Sequence, residues 1–210
     1  MKSLVLTLIL SAAAATSVSA KTLTYDFAGH GKTADTFSFV SEGVSLDVGG
    51  ASYHNGTYEN EKLTQWQHGF GISSHFGDRH LIDGFYKQEF VTLAFSEKVD
   101  RIGSLTFDYV DRHDKFAFYS LDGDRAVQLQ YTQISDDETG KATYLFDKDY
   151  AGSFFAVGAL KVTDDFKLRG LTASLHNDIA PVPLPAAMPL LLAGIGGLGF
   201  LSRRRNRRPA

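Results

Sequence analysis

The chain of 210 residues has no cysteine, one tryptophan, two methionines and five prolines. Without a thiol there is no disulfide framework, no cysteine-held zinc or iron–sulfur cluster and no thiol nucleophile, so redox chemistry would need an outside cofactor. Positive charge is also missing from the body. The formal net charge is −3, but Lys2 and five arginines after Ser202 lie at the ends. Setting those six aside leaves 15 of the 21 bases against 24 acids, all between Asp26 and Asp178, a balance near −9. That excludes the basic face with which nucleic-acid binders meet phosphate. With 43% hydrophobic and 21% charged residues, the rest reads as one globular domain rather than a disordered chain.

Long apolar runs occur only at the two ends. Met1-Lys2 precedes Leu4 to Ala15, apolar and rich in small residues, and Val18-Ser-Ala20 precedes Lys21. A basic start, a short apolar centre and small residues before the cut describe a secretory signal peptide, with cleavage between Ala20 and Lys21. At the other end, an uncharged stretch from Leu184 to Leu201 is followed by Arg203, Arg204, Arg205, Arg207 and Arg208. Such a span is just long enough for a transmembrane anchor helix, and the arginines keep the tail in the cytoplasm. Both ends predict a body outside the cytoplasm, held to the inner membrane by its C-terminus.

The tail carries a resemblance. Val182-Pro183-Leu184-Pro185-Ala186, then a Leu/Gly-rich span, then an arginine cluster at the chain end resembles the VPLPA variant of the PEP-CTERM sorting signal. The resemblance covers Val182 to Ala210. It implies handling by signal peptidase and then by exosortase, a membrane cysteine protease of bacteria that make extracellular polysaccharide. It also implies roles: Val182 to Ala186 for recognition, Met188 to Leu201 for the anchor, and the five arginines for stop-transfer. Asn206 interrupts the arginine run, and Pro189 falls near the start of the helix.

Between the ends, alternation of period two dominates. Leu23, Tyr25 and Phe27 alternate with Thr22, Thr24 and Asp26, and Val44, Leu46 and Val48 with Ser45 and Asp47. Further alternating runs lie at 37–40, 91–95, 104–110, 115–121, 126–131, 142–146, 153–157 and 166–175. About ten short strands with polar turns, among them Asp122-Gly123 and Asp137 to Gly140, predict an all-β fold. The expected architecture is an antiparallel β-sandwich of jelly-roll-like topology, flanked by the signal peptide and the anchor helix. The expected domains are 1–20 signal peptide, 21–179 sandwich and 180–210 sorting signal. The stretch Gly49 to Lys87 shows no clear strand pattern and reads as a long, aromatic- and histidine-rich excursion.

Chemistry is sparser. Gly29-His-Gly-Lys-Thr33 resembles the end of a phosphate-binding loop but has Asp26 where the first glycine belongs, so it is read as a glycine-rich turn. Gly71-Ile-Ser-Ser74 lacks the second glycine of a nucleophile elbow, and Asn55-Gly-Thr57 is a turn. His54, His68, His75 and His80 match no zinc spacing. Asp108, Asp111 and Asp114 could offer oxygens to structural calcium, with Asp122 and Asp124 the better pair. Trp66, Tyr53, Tyr58, Phe70, Phe85 and Tyr86 could stack on sugar rings, or pack the excursion onto the sandwich. No catalytic or cofactor-binding residue stands out, so the expectation is a non-enzymatic surface or matrix protein associated with exopolysaccharide or biofilm. Two rivals remain open: an extracellular carbohydrate-active enzyme, which needs a convergent carboxylate pair, and a calcium-stabilised adhesion module.

Overall fold

The computed structural model describes residues 20–73, 80–122, 125–135 and 140–176. Residues 1–19 of the expected signal peptide, the sorting tail, His75 and Asp124 lie outside these residues, while Ala20 opens the first strand. Every described element is a strand. No helix among the described residues is long and apolar enough to cross a membrane, and the expected anchor lies beyond them.

Fifteen strands form two sheets in which all pairings are antiparallel. The first sheet holds β1 (Ala20–Asp26), β2 (Lys32–Ala34), β6 (Leu63–Trp66), β7 (Gly69–Ile72), β8 (Ile82–Asp83), β10 (Arg101–Asp108), β13 (Lys141–Leu145) and β15 (Asp165–His176). Its order is β13-β10-β15-β7-β6-β2, with β1 and β8 also on β15. The second holds β3 (Thr36–Ser41), β4 (Val44–His54), β5 (Thr57–Glu61), β9 (Gln88–Val99), β11 (Lys115–Asp122), β12 (Arg125–Gln133) and β14 (Gly152–Gly158). Its order is β12-β11-β14-β9-β4-β3, with β5 on the far half of β4.

The alternation read from sequence is the packing pattern. Leu23 and Tyr25 of β1 and Val44, Leu46 and Val48 of β4 are buried, while Thr22, Thr24 and Asp47 face water. Phenylalanine fills the space between the sheets. Phe107 of the first sheet meets Phe116 of the second with ring centroids 5.0 Å apart, and Phe70 meets Phe37 at 4.9 Å. Phe155 stacks on Phe118 at 5.4 Å. Each ring so buried contributes about 1.5–3 kcal/mol by leaving water, which the tilted contacts supplement. The two antiparallel sheets therefore form a sandwich around one core.

The described parts of the excursion at Gly49 to Lys87, 49–73 and 80–87, are built largely of strands. Strand β4 runs on to His54, then Asn55 and Gly56, with φ of 50° and 85°, turn the chain straight back into β5. Two left-handed residues between paired strands make the tight hairpin that an Asn-Gly pair favours. A second hairpin joins β6 to β7 through Gln67 and His68. Alternation is hidden here for two opposite reasons. Strand β5 is largely exposed, whereas all four residues of β7, Gly-Phe-Gly-Ile, are buried. Strand β10 ends at Asp108, short of the expected 110, because Tyr109 has φ of 59° and leaves the sheet.

The Asp111–Asp114 turn closes one end of the sandwich. Asp114 is fully buried. Its carboxylate accepts from the backbone N–H of Asp111 at 2.5 Å and of Asp165 at 2.8 Å, tying the β10–β11 connection to β15. Burial pushes its carboxyl up to about 7, against the pull of those two amides. A carboxyl raised from 3.8 is protonated more readily in the folded chain than in the unfolded one between those pH values. The contribution of Asp114 to stability is therefore greatest below pH 4, falls through that window and levels off above pH 7. Relative to Asp114→Asn, which cannot ionise, the native chain should lose stability from pH 4 to 7 at up to about 1.4 kcal/mol per pH unit. Urea midpoints of the two chains across that range measure the effect, and a constant difference between them would count against it.

Candidate functional site

An open cleft of 680 Å³ lies where the first sheet changes partners. Trp66, Gln67 and His68 reach it from the β6–β7 hairpin, His30 from the β1–β2 connection, His80 and Leu81 from the approach to β8, Tyr109 from the end of β10 and Lys167 from β15.

The glycine-rich turn builds the support under Trp66. Gly29 and Gly31 donate their N–H groups to the carbonyls of Trp66 and Gln65, both at 2.8 Å. A Cβ on Gly31 would stand 3.0 Å from the indole, and Gly31 has φ of 76°, so only glycine lets the ring lie this close. A Cβ on Gly29 would run into the Gln65 side chain at 2.3 Å. The motif that looked like a phosphate loop is a turn whose amides are already bonded to β6. Trp66 itself remains 44% exposed, with its face available to a ligand.

Behind the indole sits a polar network. Asp108, buried, lies 3.0 Å from His68 Nδ1 through one oxygen and accepts the Tyr109 N–H at 2.9 Å through the other. Arg169 donates to the Gln67 carbonyl at 2.8 Å, pairs with Asp26 at 3.1 Å and lies 3.9 Å from Asp108. The Gln67 amide nitrogen, which can only donate, is 2.9 Å from His68 Nε2. Both ring nitrogens of His68 thus have a polar neighbour, Asp108 at Nδ1 and Gln67 at Nε2. Tyr109 stands edge-on to His68 with centroids 4.9 Å apart. Lys167 donates to the His80 carbonyl at 2.6 Å and sits 5.8 Å from the Tyr109 ring centre. Both Tyr109 and His80 have positive φ, a conformation that needs support from its surroundings, and these contacts provide it.

The structure brings together two of the four flagged histidines, His68 and His80. His54 instead stacks on Tyr86 with centroids 5.1 Å apart. Of the flagged aromatics, Trp66 lines the cleft, Phe70 is core, Tyr53 and Tyr58 pack together at 4.7 Å, and Phe85 is exposed. Among the described residues no group of three or more His, Asp or Glu side chains could hold a metal ion. Asp108 serves His68, while Asp111 accepts the His113 N–H at 2.6 Å and Asp114 accepts the two amides named above. Tyr109, Lys167 and Arg169 escaped the sequence reading. Lys167 and Arg169 alternate with Phe166 and Leu168 and so read as the wet face of a strand. Only the arrival of β6–β7 beside β15 turns that face into a cleft.

Residues 181–206 match the PEP-CTERM protein-sorting motif. No curated protein matches the sequence. Solved structures to which this chain is distantly similar include a family 29 carbohydrate-binding module, at 15% identity and TM-score 0.36, covering 80% of this chain and 99% of that one. A family 32 module of Clostridium perfringens in complex with galactose gives 8% identity and TM-score 0.34, covering 60% of this chain and 93% of that one. Another Clostridium perfringens module, in complex with GalNAc-β-1,3-galactose, gives 16% and 0.31, covering 42% of this chain and 66% of that one. The chain carries a PEP-CTERM sorting motif, which implies an exported, surface-associated protein processed by exosortase.

Trp66 is the only tryptophan, so its emission reports on this cleft alone. Gly31→Ala should displace the indole, shift the emission maximum and cost about 1–2 kcal/mol of stability, because a Cβ is strained at this φ. Fluorescence spectra and urea midpoints of the variant test both, and an unmoved spectrum would show that the turn does not support the ring.

Proposed function

We propose that this chain is an exported, exosortase-sorted surface protein whose sandwich, residues 21–179, binds extracellular polysaccharide without catalysing a reaction on it. The observation that carries the binding reading is Trp66, a 44% exposed indole that rests against the Gly31 turn and lines an open cleft. An aromatic face offers apolar contact to a sugar ring, while Gln67, His30 and backbone groups around it take hydroxyls. Two features favour binding over catalysis. None of the described residues lining the cleft is a carboxylate, whereas glycoside cleavage uses a pair. The His68 Nε2 atom, which a His–Asp dyad would use as base, is engaged by Gln67.

The sorting reading extends the motif match. Signal peptidase cuts between Ala20 and Lys21. Val182, Pro183, Leu184, Pro185 and Ala186 form a VPLPA-type recognition element, Met188 to Leu201 the inner-membrane anchor, and Arg203, Arg204, Arg205, Arg207 and Arg208 the stop-transfer charges. The chain crosses repeatedly between the two sheets, as from β2 to β3, β5 to β6 and β9 to β10, which supports a jelly-roll-like winding of the sandwich.

Two measurements test this reading. Intact mass of protein recovered from medium and membranes should show a species that starts at Lys21 and has lost its tail near Pro185. Scrambling Val182 to Ala186 should abolish that species and leave the chain anchored, and full-length protein in both cases would make the tail an ordinary anchor. Separately, titrating the native chain with neutral and uronic-acid hexasaccharides should shift Trp66 emission to the blue for at least one of them. Trp66→Ala should weaken that binding at least about tenfold, the loss expected from removing a stacked aromatic. No response to any hexasaccharide would overturn the cleft as a sugar site.

A further inference from the structure

The outward face of the second sheet carries a second groove, of 640 Å³, lined by strands β4, β5, β9, β11, β12 and β14. The water-facing side of an antiparallel sheet normally reads as polar. Here it does not. The register across the sheet sets Gly49 beside Thr92, Thr92 beside Ala156 and Ala156 beside Tyr119, a central row of short side chains ending in an aromatic. Phe90, nearly buried, flanks that row on one side and Phe154, part-exposed, on the other. Phe90 can lie down only because its neighbour is Gly158, where a Cβ would stand 2.3 Å from its ring. Tyr119 meets Phe90 edge-on at 5.7 Å and donates its hydroxyl to Gln128 at 3.1 Å. Tyr58, 64% exposed, stands over the far end beside Asn60.

The result is a channel running across the strands, with a low floor, aromatic walls and hydrogen-bonding groups at Asn60 and Thr92. It crosses six strands, five gaps of about 4.8 Å each. That length, roughly 24 Å, suits an extended chain rather than a single sugar. Its charge is equally specific. Among the described residues, the only charged side chain lining this groove is Arg125, which forms no ion pair there and has Asp122 as its partner in the β11–β12 register. A guanidinium left open in an aromatic channel is the group that takes a carboxylate in two parallel hydrogen bonds.

We infer that this groove is a second ligand site, separate from the Trp66 cleft, which takes an extended glycan bearing carboxylates, a uronic-acid polysaccharide. The inference takes from the proposed function only the class of ligand. With one site on the second sheet and another on the first, a single chain can hold two polysaccharide segments at once and join them.

The test uses the full chain in detergent, with hexagalacturonate as the charged probe and cellohexaose as the neutral one, followed by calorimetry. Trp66→Ala removes the first cleft. On that background one hexagalacturonate should still bind per chain, more tightly than cellohexaose. Adding Arg125→Gln should weaken it at least about tenfold, and adding Tyr58→Ala should weaken it as well. Both side chains are exposed, so neither change threatens the fold, and urea midpoints equal to the parent's would verify that. The inference falls if Trp66→Ala alone abolishes all binding, if Arg125→Gln leaves the remaining affinity unchanged, or if cellohexaose binds the groove as tightly as hexagalacturonate. Hexagalacturonate binding to the Trp66→Ala chain without any Trp66 response in the native chain would sustain this groove while overturning the first cleft.

Discussion

Strand β15 must pair both of its edges, and the site follows from how it does so. One edge is covered by β10 along almost its whole length. The other is shared. Strand β1 pairs from Ala20 opposite His176 down to Asp26 opposite Gly170, and Phe27 adds one more bond to the Arg169 carbonyl at 2.8 Å. There β1 departs, and β7 takes over at Leu168, then β8 at Phe166 and Asp165. An unpaired backbone group in the interior would cost free energy comparable to a lost hydrogen bond, so the handover has to be close. Glycine makes it close: a Cβ on Gly69 would fall 2.3 Å from the Leu168 carbonyl, and one on Gly170 would fall 2.6 Å from that of Tyr25. Where one strand leaves and another arrives the surface is notched, and the Trp66 cleft occupies the notch.

The same junction explains the polar network under the cleft. Arg169 sits at the handover and binds all three parties, Asp26 at the end of β1, the Gln67 carbonyl in the β6–β7 turn and Asp108 at the end of β10. Buried carboxylates are tolerated when charge and hydrogen bonds surround them, and Asp108 has both. The network thus acts first on architecture. It ties the hairpin that carries Trp66 to the ends of β1 and β10. The network therefore sets the shape of the Trp66 cleft in a β-sandwich whose PEP-CTERM motif implies a surface-associated protein.

Much of the fold was legible. Strands with one wet and one dry face, such as β1 and the first half of β4, declared themselves by alternation because one side of each must meet the phenylalanine core. The stretch from Gly49 to Lys87 did not. Strand β5 lies at an edge with little to bury, and β7 is buried on both faces with two glycines, so neither leaves a period of two. Asn55-Gly56 was the one local signal that a hairpin lay there, since both residues take the positive φ it needs. The site was partly legible. Trp66, His68 and His80 stood out by residue type, but Tyr109, Lys167 and Arg169 looked like ordinary strand positions.

What the sequence by itself determined is the class of fold and the address. Period-two alternation is a local property that dictates which side of a strand meets the core, and the PEP-CTERM sorting motif at residues 181–206 is a linear signal. The tertiary structure alone decided which strands lie side by side, and therefore every feature that depends on residues far apart in the chain. Trp66 rests on Gly31, His68 on Asp108, and the outer groove on a register that aligns Gly49, Thr92, Ala156 and Tyr119. Such neighbours are chosen by pairing of sheet edges and closure of one shared core, and neither leaves a trace in local sequence.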